Sequence, residues 1–161
     1  MFLPWPCPND AYEAAMESAI ARARRAGITH IAFGDLFLED IRAYREERMA
    51  RAGIEALFPL WGCDTSVLAG DMVRHGVRAS LVCVDPAQLD ESFCGREFGS
   101  AFLKALPSQV DPCGERGEFH TFAWDGPAFT TPVFVEPGEI VRRDGFVFAD
   151  LWPVQSEVAP A

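Results

Sequence analysis

The sequence predicts an α/β chain: a partial parallel sheet with crossover helices, followed by a smaller mixed α+β portion. Three observations predict it. Helix-like and strand-like runs alternate up to residue 63, the grammar of parallel strands joined by helices. From Phe119 onward, β-branched and aromatic residues dominate, punctuated by turn residues. The 161 residues and 17.8 kDa hold one domain or two small ones.

The elements follow in order. Asn9 or Asp10 is placed to cap a helix over 11–26, with acids early and bases late, as the helix dipole favours. Gly27 ends it, and 28–33 is a short apolar strand closed by Gly34-Asp35. A charge-dense second helix runs over 39–52 with Leu38, Ile41, Tyr44 and Met49 on its apolar face, and Gly53 stops it. Residues 54–61 read as a buried strand. Asp64 or Thr65 caps a third helix over 66–75, ended by Gly76, and 77–84 is strongly β-prone. A fourth helix is expected within 93–106, before Pro107 and Pro112 impose a loop. Strands are expected at 119–124, 131–135 and 139–150, the last folded on itself at Arg143-Asp144-Gly145. Residues 156–161 read as a frayed tail. The change of grammar places a soft boundary that divides the chain into 1–63 and 64–161.

Composition narrows the function. An apolar fraction of 49% and a charged fraction of 24% suit a globular chain. The formal net charge of -10 repels phosphate backbones and anionic membrane surfaces, so neither nucleic acid nor membrane is expected as a partner. No 18-residue apolar run exists, and the first residues do not read as a signal peptide. Five scattered cysteines without a C-x-x-C suggest reduced thiols, a cytoplasmic location and no structural metal site. Of the 14 basic residues, Lys104 is the only lysine, and no glycine turn precedes it. A lysine-bearing phosphate loop is therefore not readable here.

Two stretches carry the chemistry. In Phe33-Gly34-Asp35-Leu36-Phe37-Leu38-Glu39-Asp40 a strand ends in Gly-Asp and a helix begins, the place where open α/β sheets bind ligands. An ordinary turn with a capping acid is the competing reading there. Arg42 and Arg45, close by on the second helix, could face an anion, although most charges of that helix form a solvated face. In Asp111-Pro112-Cys113-Gly114-Glu115-Arg116-Gly117-Glu118-Phe119-His120-Thr121, glycines and ionisable groups crowd a loop that leads into an apolar strand. Strand alternation puts His120 and Phe122 on one face with Glu118, suited to proton transfer, and Phe119, Thr121 and Ala123 on the other. Cys113 is the one cysteine to test as a nucleophile. A metal cluster of Cys113, Glu115, Glu118 and His120 matches no common spacing.

Together these stretches, with Tyr44-Arg45-Glu46, Phe58-Pro59-Leu60-Trp61 and Trp124-Asp125-Gly126-Pro127-Ala128-Phe129, resemble the diphthine–ammonia ligase (diphthamide synthase) family of ATP pyrophosphatases. Leu3-Pro4-Trp5-Pro6-Cys7 is similar to the segment before that family's next helix. The resemblance implies an adenine-nucleotide alpha-hydrolase-like domain followed by a smaller substrate domain. It implies that ATP, with magnesium, activates a carboxylate as an acyl-adenylate, from which ammonia displaces AMP. By motif match, Phe33, Gly34 and Asp35 would bind the nucleotide. Glu115, Glu118 and His120 would be catalytic. Arg42, Arg45, Cys113, Gly117 and Thr121 would hold the acyl substrate. The family's S-G-G-K-D-S loop has no counterpart in the sequence. It is expected about two βα units, of about 30 residues each, before Met1. A truncated or mis-started member is one expectation. A non-catalytic remnant or subunit that binds a nucleotide or a carboxylate, or completes its sheet with another chain, is the other, with a homo-oligomer or a complementing chain as the protein partner.

Overall fold

The chain folds as two compact units, residues 1–62 and 63–161. The structure is a computed structural model that describes residues 7–154. The 3–6 segment and the 156–161 tail lie outside the described residues.

In the first unit, helix α1 (Asn9–Arg25) starts two residues earlier than the capping pattern suggests. Pro8, not Asn9 or Asp10, occupies the cap, at φ -59°. Its fixed φ and missing N–H suit that position, and Tyr12 N–H donates to its carbonyl. Gly27, at φ +84°, closes the helix as Ile28 N–H reaches back to the Ala23 carbonyl. Strand β1 (His30–Ala32), helix α2 (Glu39–Ala52) and strand β2 (Glu55–Leu57) then form a βαβ unit. Its strands pair in parallel, Ile31 opposite Ala56. The expected strand over 54–61 stops at Leu57. Pro59 has no N–H to give a ladder, and Trp61 N–H and Gly62 N–H turn back to the Phe58 and Leu36 carbonyls. Arg48 ties the helices together through Glu13 at 2.7 Å and Glu17 at 2.8 Å.

In the second unit, helix α3 (Thr65–Arg74) is capped by the Asp64 carboxylate, which accepts from Val67 N–H. Strands β3 (Arg78–Val84), β4 (Phe119–Asp125), β5 (Val135–Arg143) and β6 (Phe146–Pro153) form an antiparallel sheet in the order β4-β3-β6-β5. The parallel α/β grammar thus ends with the first unit. The expected helix over 93–106 is reduced to a 3-10 turn at Glu91–Phe93 and helix α4 (Ser100–Ala105). Gly95 at φ +82° breaks it. Residues 95–98 instead run alongside β3: Gly95 N–H donates to the Leu81 carbonyl and Phe98 N–H to that of Ala79. The expected strand at 131–135 is replaced by a crossing segment, and β5 begins only at Val135. The β5–β6 hairpin turns at Asp144-Gly145, as the sequence suggests, with both residues at positive φ.

The register explains the two faces of the sheet. Val84 lies opposite both Phe119 and Val147, and this row is fully buried under α3, α4 and the 3-10 turn. One step along, Cys83 lies opposite both His120 and Phe148. This second row faces the other way and floors a cleft of about 630 Å³. An irregularity between Leu81 and Cys83 sends both Val82 and Cys83 to the cleft side. Val133 N–H donates to the Trp124 carbonyl of β4, while Val154 N–H, beyond β6, donates to that of Phe134. The 133–134 segment therefore bridges β4 and the end of β6, and the sheet curls around the cleft.

Candidate functional site

The loop before β4 is built by its own carboxylates. Glu118, 2% exposed, accepts the N–H of Asp111 on Oε1 and that of Arg116 on Oε2, each at 2.9 Å. Asp111, also buried, accepts from Cys113 N–H at 2.9 Å and Glu115 N–H at 3.4 Å. A buried carboxylate must have its lone pairs satisfied, and here the donors are the loop's own amides. Gly114 sits at φ +70° where a Cβ would meet the Phe119 carbonyl at 2.7 Å, so backbone packs on backbone. Gly117, at φ +83°, faces open space. The glycine and acid richness of this segment is thus in large part a folding code for a tight turn at the head of β4.

This corrects one expectation. Glu118 does not join His120 on a shared face: its carboxylate is turned into the loop, while His120 is exposed on the cleft side of β4. The alternation begins only at Phe119, because the residue before the ladder is not bound by its pleat. Thr121 lies opposite Leu81 of the core row and so on the face away from His120. Cys113 is half-buried, its thiol donating to the Thr65 carbonyl at 3.4 Å. Burial, and secondarily the charges of Asp111 and Glu115, push that thiol up to about 11. It is protonated at neutral pH, which removes the basis for a nucleophile. Glu115 and Gly117 lie in the same turn, so Cys113, Glu115, Gly117 and Glu118 are brought together, with His120 just beyond.

In the first unit, the Asp35 carboxylate accepts from Arg45 Nε at 2.6 Å, and the Arg45 guanidinium lies 4.8 Å from the Phe33 ring centre. Arg42 pairs with Glu46 and stacks on Phe58 and Trp61 at 4.8 and 4.6 Å. Phe33 and Phe58 stack in turn at 5.6 Å. The Gly-Asp end of β1 is therefore a cluster of aromatic rings and arginines in which Asp35 already has a cation. Gly34 has nothing within 4 Å of where a Cβ would stand, so its backbone is open to a ligand. Among the described residues, no three or more acids, histidines or cysteines gather into a metal site. No helix among them is long and apolar enough to cross a membrane.

Residues 64–149 match the family profile of the diphthamide synthase C-terminal domain. That span contains the clamped loop, β3, β4, β5 and the first half of β6. The chain belongs to the diphthamide synthase C-terminal domain family. Among relatives of this family, the diphthine–ammonia ligase of Schizosaccharomyces pombe is 32% identical over 97 residues, 58% of this chain and 16% of that protein. The enzyme of the same name from Bos taurus is 25% identical over 148 residues, 89% of this chain and 55% of that protein. The one from Danio rerio is 30% identical over 118 residues, 70% and 46%. The chain spans about half the length of the two animal relatives. The sequence motifs lead to the loop and to His120. They do not lead to the cleft in the domain's curled sheet, whose polar groups include Asp150 on β6. The signal for it was a single acid inside the apolar run 146–152.

Proposed function

We propose that this chain supplies the acyl-substrate side of an ATP-dependent amide-forming reaction of the diphthine–ammonia ligase kind. The observation that carries the proposal is the clamped turn at the head of β4, inside the segment that matches the family profile. In this reading a substrate carboxylate oxygen attacks the α-phosphorus of ATP and pyrophosphate leaves. Ammonia then attacks the acyl carbon, AMP leaves with the bridging oxygen, and the nitrogen loses a proton. His120, exposed and with no side-chain partner among the described residues, is the base that takes the proton. Glu118 is a positioning residue that fixes the turn. Glu115, Gly117 and Cys113 shape the surface the acyl group meets, and Thr121 contributes from the far face of β4.

Phe33 and the open backbone of Gly34 are the nucleotide side, with Arg42 and Arg45 as cations for an anionic group. Asp35 holds Arg45 and is not free for a metal. Among the described residues no three acids, histidines or cysteines gather at one point, so a magnesium ion accompanying ATP would be held mainly by the phosphates. Lys104 lies on the six-residue α4 of the second unit and serves no phosphate loop, so turnover requires a polypeptide that carries one. The test is AMP and pyrophosphate release from ATP with ammonium and a diphthine-bearing protein. The expected result is none with this chain alone and turnover when a relative's loop-bearing segment is added. No stimulation by this chain over that segment alone would overturn the proposal.

The second reading, a subunit that pairs its sheet with another chain, is favoured by a separate observation. The β1–β2 pair has two short parallel strands, and parallel sheets are ordinarily covered on both faces. Ile28 and Leu57 are exposed, and none of the residues of α1 is buried. Under that reading, sedimentation shows a complex and ATP is bound without being cleaved.

A further inference from the structure

We infer that the outer edge of strand β5 is the surface on which a second copy of this chain docks, strand to strand and antiparallel. β5 ends the sheet. It pairs with β6 on one side, and among the described residues no backbone group hydrogen-bonds to its other side. An open strand edge is a row of unpaired donors and acceptors, and another strand is what fits it. Half of this edge is guarded. Pro137 has no N–H to give, and the β5 register slips between Pro137 and Ile140. From Ile140 to Arg143 the strand runs in regular register opposite Ala149, Phe148, Val147 and Phe146, with neither proline nor glycine. Ile140, 60% exposed, begins that unguarded stretch.

Charge selects the occupant. β5 carries Glu136 and Glu139 in its first half and Arg142 and Arg143 at its end. Arg142 is held by Glu91. Arg143 lies with its guanidinium 4.9 Å from the Phe148 ring centre, and no carboxylate among the described residues pairs with it. Nor does any cation among them pair with Glu139. An in-register parallel copy would set acid on acid and base on base. An antiparallel copy reverses the order and meets acid with base. With Val141 opposite its own counterpart, Glu139 comes beside Arg143 of the second copy, and Ile140 beside the aliphatic stem of that copy's Arg142. The two-fold axis repeats both pairs, as an isologous contact requires. Two four-stranded sheets then join into one continuous sheet. The ladder is short, so the association is weak and concentration-dependent. The inference stands on this edge alone and goes beyond the ligase reading.

The test is sedimentation velocity on the full chain, from micromolar to near-millimolar concentration, with Glu139→Arg and Arg143→Glu alone and mixed. Both residues are exposed, so each variant should keep the wild-type circular dichroism. Wild type should pass from monomer to dimer across the series. Each variant alone sets like charges against each other and should dimerise at least tenfold more weakly. Mixed in equal amounts, the two variants present opposite charges at both contacts and should recover dimerisation to within threefold of wild type. A wild type that stays monomeric throughout would overturn the inference. So would single variants that dimerise like wild type, the result expected if the copies meet anywhere else. Failure of the folded variants to recover on mixing would do the same. If either variant misfolds, amide hydrogen exchange of the wild type decides. Protection over 139–143 should rise with concentration, and unchanged protection there overturns the inference.

Discussion

At the scale of single residues, the Asp111–Glu118 turn separates folding roles from chemical ones. Gly114→Ala places a methyl group against the Phe119 carbonyl and keeps a positive φ. It should cost about 3 kcal/mol by thermal unfolding. Gly117→Ala meets only the strain of positive φ and should cost about 1 kcal/mol. A reversal of that order would show that the turn is held differently. Glu118→Ala orphans the amides of Asp111 and Arg116 and should cost about 3 kcal/mol. Glu115→Ala leaves both of those acceptors in place and should cost less than Glu118→Ala. If Glu118→Ala were as mild as Glu115→Ala, the clamp would not be what shapes the loop. The thiols add a pH dependence. Burial pushes Cys94 and Cys113 up to about 11. The folded chain then holds those protons where the unfolded chain releases them. Their contribution is full below the ordinary thiol range and is lost as pH rises toward 11. Melting temperature should therefore fall more steeply from pH 8.5 to 10.5 in wild type than in Cys113→Ala. At pH 8, only about one Cys113 thiol in a thousand is ionised, so exposed Cys63 should react with iodoacetamide far faster.

At the scale of elements, local signals were legible where they are self-contained. Helix α2 is read to its bounds, because Gly53 supplies the left-handed stop and Ile54 closes on Met49 within the same stretch of chain. Asp64 announces α3 for the same reason. Asp64→Ala should lower stability by about 1 kcal/mol, measured by denaturant unfolding. Equal stability would mean that Val67 N–H finds another acceptor. The misread elements are those decided by distant partners. Residues 96–98 carry helix-compatible side chains, yet after the Gly95 break they lie along β3, where the Leu81 and Ala79 carbonyls accept from Gly95 and Phe98 N–H. Residues 54–61 are apolar enough for a strand, but a ladder needs a partner beyond Leu57, and the chain turns back at Gly62 instead. The candidate site divides the same way. The motif residues were visible as a cluster of chemical types. Which carboxylate faces the loop and which residue faces the cleft depends on the pairing of β4 with β3, a long-range register that spacing does not encode.

At the scale of the whole molecule, buried apolar residues are unevenly shared. Among the described residues, Leu36, Met49 and Ile54 are the buried hydrophobics of the first unit. The second unit has a continuous cluster from Ala69 to Val147, with Phe93, Phe98, Phe102 and Phe119 at ring-to-ring distances of 5.4–6.0 Å. Apolar burial is the main favourable term in folding, so stability should concentrate where this cluster lies. The family profile, beginning at residue 64, coincides with that cluster, as expected if the matched segment is a folding unit. Residues 63–161 expressed alone should give a dispersed amide spectrum and one cooperative unfolding transition. Residues 1–62 alone should give narrow dispersion and no transition. Three buried apolar side chains cannot offset the ordering of that length of chain. Cooperative folding of 1–62 would mean that the βαβ unit holds itself with the Arg48 ties and the aromatic–arginine cluster. Failure of 63–161 to fold would mean that the sheet depends on residues outside its own core, and would remove the basis for treating the cleft as a site of that unit.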